Sequence, residues 1–393
     1  MAARTAFACI RSLQFTSRST RRLSLLQKHL AAGRHFSVEA MDEEVIVERC
    51  GNAAVITLNR PKALNALNMN MIKIIYPQLK MMENDPDVKV IIMKGAGDKA
   101  FCAGGDIRAV ADGKKSGNTV PSEFFREEYK LNYAIGTLKT PYVALIHGIT
   151  MGGGVGLSVH GMFRVATGKT VFAMPETAIG FFPDVGGGHF LPRLHGRLGL
   201  YLALTGTRLR GRDVQLAGVA THYVDADKIG DLESQLMSVS SDNALEIGKI
   251  LDDVHQKSSS EEADFSLKKR LNQINRCFES NSLEGIMDAL HADGSDWAKE
   301  QLVTLNKMSP TSMKVTIREL EEGRRLNLKE DLEMEYRISQ RFMDGNDFFE
   351  GVRAVLVDRD NSPKWKPSSI SAVTQDEVGT YFQSLGDQDL NLQ

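Results

Sequence analysis

The sequence predicts an α/β fold: a layered core of strands and helices over residues 39–225, then a mainly helical region over residues 226–393. Three observations carry that reading. From Val45 to about Asp225, short β-branched runs alternate with apolar stripes at helical spacing. The strand-like runs are apolar almost throughout, as strands buried on both faces are. Past Asp225 those runs stop and helical spacing takes over.

Each element follows from its residues. Ala53–Leu58 is a β-branched run that stops at Asn59-Arg60-Pro61, a loop signal. The apolar positions 72, 75, 79 and 82 make a helical stripe over 69–82, and Pro77 inside it is expected to kink or shorten the helix. Val88–Met93 reads as a buried strand ended by Gly95-Ala96-Gly97, and Asp112–Asn118 as a polar loop. A helix is expected over 122–138, and Pro141 opens a strand over 142–147. A glycine turn at 151–154 leads into an expected buried helix reaching about His160, then short strands at 163–167 and 171–174. Ser238–Asn243 and Gln256–Glu262 look like polar linkers. Leu267, Leu271, Ile274 and Phe278 share a helical face, and Ser309-Pro310 reads as an N-cap followed by proline at the first helical position.

Composition bounds the function. The chain has 393 residues, 42% hydrophobic and 25% charged, with a formal net charge of −2. That excludes a disordered polyelectrolyte, a collagen and a small disulfide scaffold. No apolar run approaches the roughly 18 residues that would span a bilayer. Cys9, Cys50, Cys102 and Cys277 lack metal-ligand or C-x-x-C spacing, which points to a reducing compartment. The small net charge hides a split. Residues 1–38 hold seven basic residues (Arg4, Arg11, Arg18, Arg21, Arg22, Lys28 and Arg34) and no acid, leaving the rest at −9. An acid-free, Arg- and Ser-rich start is the composition of a transit peptide, with the mitochondrial matrix as the expected destination. The acidic remainder argues against a nucleic-acid-backbone binder.

Several motifs fail. Gly168-Lys169-Thr170 resembles the end of a P-loop, but the earlier glycine it needs is Phe163. Gly154 and Gly156 are followed by Val159 where a dinucleotide fingerprint needs its third glycine. Ser158 lacks the final glycine of a nucleophile elbow, and His160 reads as a core residue. Three other segments combine: Ala100–Asp106 (AFCAGGD), His147–Gly154 (HGITMGGG) and Met174–Gly188 (MPETAIGFFPDVGGG). Glycine lets a backbone approach a ligand closely. Two glycine N–H groups converging on one oxygen make an oxyanion hole, each donor contributing about 3–4 kcal/mol to an acyl-transfer transition state. The third segment adds two carboxylates.

Together with Asn59-Arg60-Pro61 and Asn65-Ala66-Leu67, these segments resemble the crotonase (enoyl-CoA hydratase/isomerase) superfamily, strongly over 45–225. Phe124–Tyr129, Pro183–Gly188, Phe348–Ala354 and Ser362–Trp365 are similar to its thioester-hydrolysing branch, which extends the match over almost the whole chain beyond the leader. The resemblance implies a crotonase-like ββα spiral core with a C-terminal mainly helical region. It makes Gly105 and Gly153 the oxyanion donors, Glu176 and Asp184 the catalytic acids, and Glu128 a substrate contact beside Gly153, Glu176 and Asp184. Leu64, Asp106 and Ile107 fall where the superfamily holds CoA, largely through backbone atoms. Hydratases carry a second glutamate after the triple glycine; here that position is Gly156. Adding water across a double bond needs two carboxylates on one water, so the change favours hydrolysis of a short 3-hydroxyacyl-CoA thioester. Glu176 would attack the carbonyl or activate water; Asp184 would orient substrate or protonate the leaving thiolate. The resemblance implies no cofactor and no metal, CoA being part of the substrate, and a small-molecule partner rather than nucleic acid or membrane. A homo-oligomer stays open, as do a hydratase or isomerase on the same fold and a non-catalytic CoA- or RNA-binding relative.

Overall fold

The computed structural model describes residues 43–115, 120–258 and 264–393. The basic leader at 1–38 lies outside the described residues. Glu43–Gln393 cluster as one compact unit, and no helix among the described residues is long and apolar enough to cross a membrane.

Ten strands occur among the described residues: β1 (Val45–Cys50), β2 (Ala53–Leu58), β3 (Val90–Gly95), β4 (Ala100–Cys102), β5 (Tyr142–Ile146), β6 (Ile149–Met151), β7 (Phe163–Ala166), β8 (Val171–Ala173), β9 (Leu209–Arg210) and β10 (His222–Tyr223). They form two sheets, ordered β1-β2-β3-β5-β7-β10 and β4-β6-β8-β9. Only the β1–β2 and β8–β9 pairs are antiparallel. The strand pairs β3/β4, β5/β6 and β7/β8 each send their first member to the larger sheet and their second to the smaller, so the chain winds as a spiral of strand pairs.

The larger sheet is buried on both faces because its strands carry apolar residues at odd and even positions alike. Side chains alternate across a strand. Ala54, Ile56 and Leu58 therefore join the main core, while Ala53 and Val55 join a second cluster with Val90, Ile92, Val143, Leu145 and Val165. The expected strands all form, with ends shifted by a residue or two.

The helices that bear on the site are α1 (Met69–Glu83), α2 (Ile107–Lys115), α3 (Val120–Thr137), α4 (Gly153–Gly156) and α5 (Gly187–Phe190). Three expectations change here. α1 runs its full 15 residues through Pro77, with Met71, Ile72, Ile75, Leu79 and Met82 buried. Burial of that stripe on both sides of the proline outweighs the hydrogen bond it removes. Residues 112–115 belong to α2 rather than to a loop, because Val110 and Ala111 pack into the core and carry the helix on; residues 116–119 are outside the described set. The helix after the triple glycine is four residues long and does not reach His160.

Past the core come α6 (Leu198–Thr205), α7 (Arg212–Leu216), α8 (Ile229–Met237), α9 (Ala244–Ser258), α10 (Leu271–Cys277), α11 (Leu283–Asp293), α12 (Asp296–Leu305), α13 (Pro310–Gly323), α14 (Leu328–Asp344), α15 (Asp347–Val352) and α16 (Gln375–Tyr381). The expected helical character of the C-terminal region holds. Leu232 and Leu236 of α8 and Ile247, Leu251 and Val254 of α9 complete the second cluster and cover the outer face of the larger sheet. α9 continues through Ser258, further than the expected linker allows. Ser309 caps α13, accepting from the Ser312 N–H, with Pro310 at the first position, as its residues require.

Candidate active site

The site sits off the carboxyl ends of three neighbouring parallel strands of the smaller sheet. Gly105 follows β4, Gly153 follows β6 and Glu176 follows β8. Adjacent parallel strands end at a common edge, so glycine loops far apart in sequence meet there.

The first loop is braced by the Asn59–Leu67 segment. Asn65 is fully buried; its side chain donates to the Ala96 and Ala100 carbonyls (3.0 and 2.8 Å) and accepts from the Arg60 N–H at 2.9 Å. Arg60 reaches the Ala66 carbonyl at 2.6 Å and pairs with Asp106 at 3.1 Å. The Leu67 N–H donates to the Gly104 carbonyl and the Asp106 N–H to the Leu67 carbonyl. That bridge leaves the Gly105 N–H directed away from Leu67. Gly104 holds a φ of +123°, a backbone conformation that side chains resist.

In the second loop, Gly152 turns the chain with φ +44° and ψ −120°. Gly153 then opens α4, where the first N–H groups have no intrahelical acceptor. A β-carbon on Gly153 would lie 3.1 Å from the Gly105 nitrogen and 2.6 Å from Glu128 Oε1. One on Gly152 would lie 3.0 Å from Glu176 Oε1. Two glycine amides and two carboxylates thus surround one small volume, and any side chain on these glycines would fill it.

Three carboxylates are buried together: Glu128 of α3, Glu176, and Asp184 in the loop before α5. Burial raises all three above their ordinary values. For Glu128 the charges of Asp184 and Glu176 add to it; for Glu176, that of Asp184 does. Asp184 is pushed up to about 7, held back by the Tyr129 hydroxyl, which donates to it at 2.8 Å. Three like charges this close cannot all ionise, so the set keeps at least one proton near neutral pH. It presents a base and an acid together.

The remaining expected residues fall beside this volume. Leu64, with φ +52°, accepts at its carbonyl from the Ala103 N–H. The amides of Asp106 and Ile107 are taken by the Leu67 and Gly105 carbonyls, and the Asp106 carbonyl accepts from the Val110 N–H. Ile107 Cδ1 and Phe124 Cζ both come within 3.2 Å of a β-carbon placed on Gly105.

The discarded motifs are structural. Ser158 is buried and donates to the Gly154 and Val155 carbonyls at 3.0 Å. His160 Nε2 bonds the Val185 carbonyl at 2.6 Å, and burial pushes its pKa down to about 4. Burial pushes the Cys102 thiol up to about 12, which leaves it unreactive.

Sequence reasoning missed several residues. Tyr129 is one; its neighbour Glu128 carried the motif. Asn132, one helical turn further along α3, is fully buried. Glu319 and Asp331, from α13 and α14, and Glu335 of α14 are fully buried beneath α5. Glu335 accepts from the Gly186 N–H at 2.7 Å and the Gly188 N–H at 3.0 Å, which fixes the loop carrying Asp184. The signal available was a run of glutamates on helices otherwise apolar on one face, which reads the same as a solvated edge.

A spiral of strand pairs with two glycine loops and an acid loop at one sheet edge defines a class. The enoyl-CoA hydratase/isomerase family model matches residues 53–382, and the chain belongs to that family. Two solved structures share the fold with a TM-score of 0.81: a carnitinyl-CoA dehydratase from Mycobacterium thermoresistibile (36% identical, 89% of this chain and 99% of that one) and an enoyl-CoA hydratase from Rhodobacter sphaeroides (35%, 89% and 100%). Among curated relatives, the chain is similar to mitochondrial 3-hydroxyisobutyryl-CoA hydrolases. The rat protein is 55% identical over 96% of this chain and 97% of its own length, the human one 55% over 94% and 95%, and the zebrafish (Danio rerio) one 56% over 95% and 97%.

Proposed function

We propose that this chain is a mitochondrial acyl-CoA thioester hydrolase. It cleaves 3-hydroxyisobutyryl-CoA to 3-hydroxyisobutyrate and free CoA in valine catabolism, and takes 3-hydroxypropionyl-CoA as a smaller substrate. One observation carries the choice of hydrolysis over hydration. A β-carbon on Gly156 would lie 2.7 Å from Asn132 Nδ2 and 2.7 Å from Val185 Cβ, so no room exists there for a hydratase's second glutamate.

The thioester carbonyl lies between the Gly105 and Gly153 amides, which stabilise the oxyanion as it forms. Glu176, poised over Gly152, attacks the carbonyl carbon or takes a proton from the water that does. The C–S bond breaks, and the thiolate leaves with a proton from the acid set, Asp184 being the donor. Glu128 faces the acyl side of the same volume and contacts the substrate. Leu64, Asp106 and Ile107 line the side where CoA enters.

Free-thiol release from 3-hydroxyisobutyryl-CoA tests this reading. Glu176→Gln keeps the shape but removes the base, and kcat is expected to fall by about 10²–10⁴-fold. Normal turnover would end the proposal. A single turnover in heavy-oxygen water then separates the two roles: label in the Glu176 side chain marks an anhydride, and an unlabelled side chain marks direct attack by water.

A further inference from the structure

Asn132 is fully buried, and neither Oδ1 nor Nδ2 has a hydrogen-bond partner among the described residues. Buried amides are almost always satisfied, because an unmet donor or acceptor carries its whole desolvation cost. Asn132 and Val185, the latter next to Asp184, both lie against Gly156, three residues after the Gly153 donor; a β-carbon on Gly156 would touch both Asn132 Nδ2 and Val185 Cβ. On α3 it stands four residues beyond Glu128, on the same helical face. Glu128 Oε1 and Glu176 Oε2 are likewise buried and without partners. The open hydrogen-bonding capacity of the site therefore continues from the two carboxylates to this amide, on the acyl side of the carbonyl.

We propose that Asn132 is a specificity-determining residue that recognises the 3-hydroxyl of the acyl chain; this rests on the hydrolase reading above. The chemistry fits an alcohol better than any other group on a short acyl chain. A carboxamide offers one strong acceptor and two donors, and a hydroxyl both donates and accepts. A carboxylate at the same place would add a fourth acid to a set that already resists ionising, whereas a neutral amide reads the hydroxyl without disturbing the acids. Gly156 is the companion change, since the amide occupies the space its side chain would need.

The test compares two substrates of equal carbon skeleton, 3-hydroxyisobutyryl-CoA and isobutyryl-CoA, in wild-type protein and in Asn132→Leu, which matches the shape without the polar atoms. Loss of the contact is expected to lower kcat/KM for the hydroxylated substrate by about 10- to 100-fold while isobutyryl-CoA changes by less than about threefold. Equal losses on both substrates, or an unchanged ratio, would overturn the assignment and leave Asn132 a packing residue. Asn132→Ala carries the same readout if the leucine variant does not fold, as judged by thermal unfolding. A wild-type protein releasing no thiol from either substrate would instead sink the hydrolase reading, and the Asn132 assignment with it.

Discussion

At the scale of single residues, the site works by crowding three carboxylic acids around two amides. The Tyr129 side chain tilts this set, since its hydroxyl bond favours ionised Asp184. Tyr129→Phe removes the bond, so the Asp184 pKa rises from about 7 and the limb of the pH–rate profile that belongs to it moves to higher pH. Profiles of kcat for the two proteins check this; superimposable limbs would show that Tyr129 does not act on Asp184. The acids Glu128, Glu176 and Asp184 were legible because each sits in a compact motif between glycines and aromatics. Tyr129 and Asn132 were not. Each is a residue on a half-apolar helix, and only the fold turns its side chain toward the glycine loops.

At the scale of elements, the loop from Gly180 to Gly188 depends on contacts that no local pattern announces. Phe181 packs on Phe125, Phe342 and Phe348, with ring centroids 5.3–5.5 Å apart. A β-carbon on Gly180 would strike the Asp347 carbonyl, so this loop and the segment that opens α15 pack backbone to backbone. Glu335 then binds the two amides on either side of Gly187. In Glu335→Gln one of those amides meets an NH₂ group in place of an oxygen. The expected cost is about 1–3 kcal/mol, read as a lower unfolding temperature together with a reduced kcat. A variant with wild-type kcat would show that the loop needs no such clamp. β2, β3, β5, β7 and α1 could be read from the chain because their apolar patterns span most of each element. β4, β6, β9 and β10, with two or three residues each, could not; they are strands because the fold brings each beside a strand from elsewhere in the chain.

At the scale of the whole molecule, two buried acid sets lie on either side of α5. Glu319, in the rear set, has its pKa raised by burial and then by Asp331, Asp184 and Glu176. The folded chain holds that proton to a higher pH than the unfolded chain does. Its contribution to stability is therefore full below the ordinary value of 4.5 and is lost as the pH rises through the folded value. Glu319→Gln carries no such loss, so the variant should gain stability over wild type as pH rises from 5 to 8, by at most about 1.4 kcal/mol per pH unit. Thermal melts of both proteins across that range measure it, and the histidine contributions cancel in the difference; a constant difference would place the Glu319 proton elsewhere. The bond from Glu335 to Gly186 spans 149 positions of chain. This has a meaning in time as well as in space. A nascent or partly imported polypeptide can carry the strands and both glycine loops while the residues that hold Asp184 in place have yet to arrive. Catalytic competence thus waits for α14, and a product truncated before it lacks the clamp on its acid.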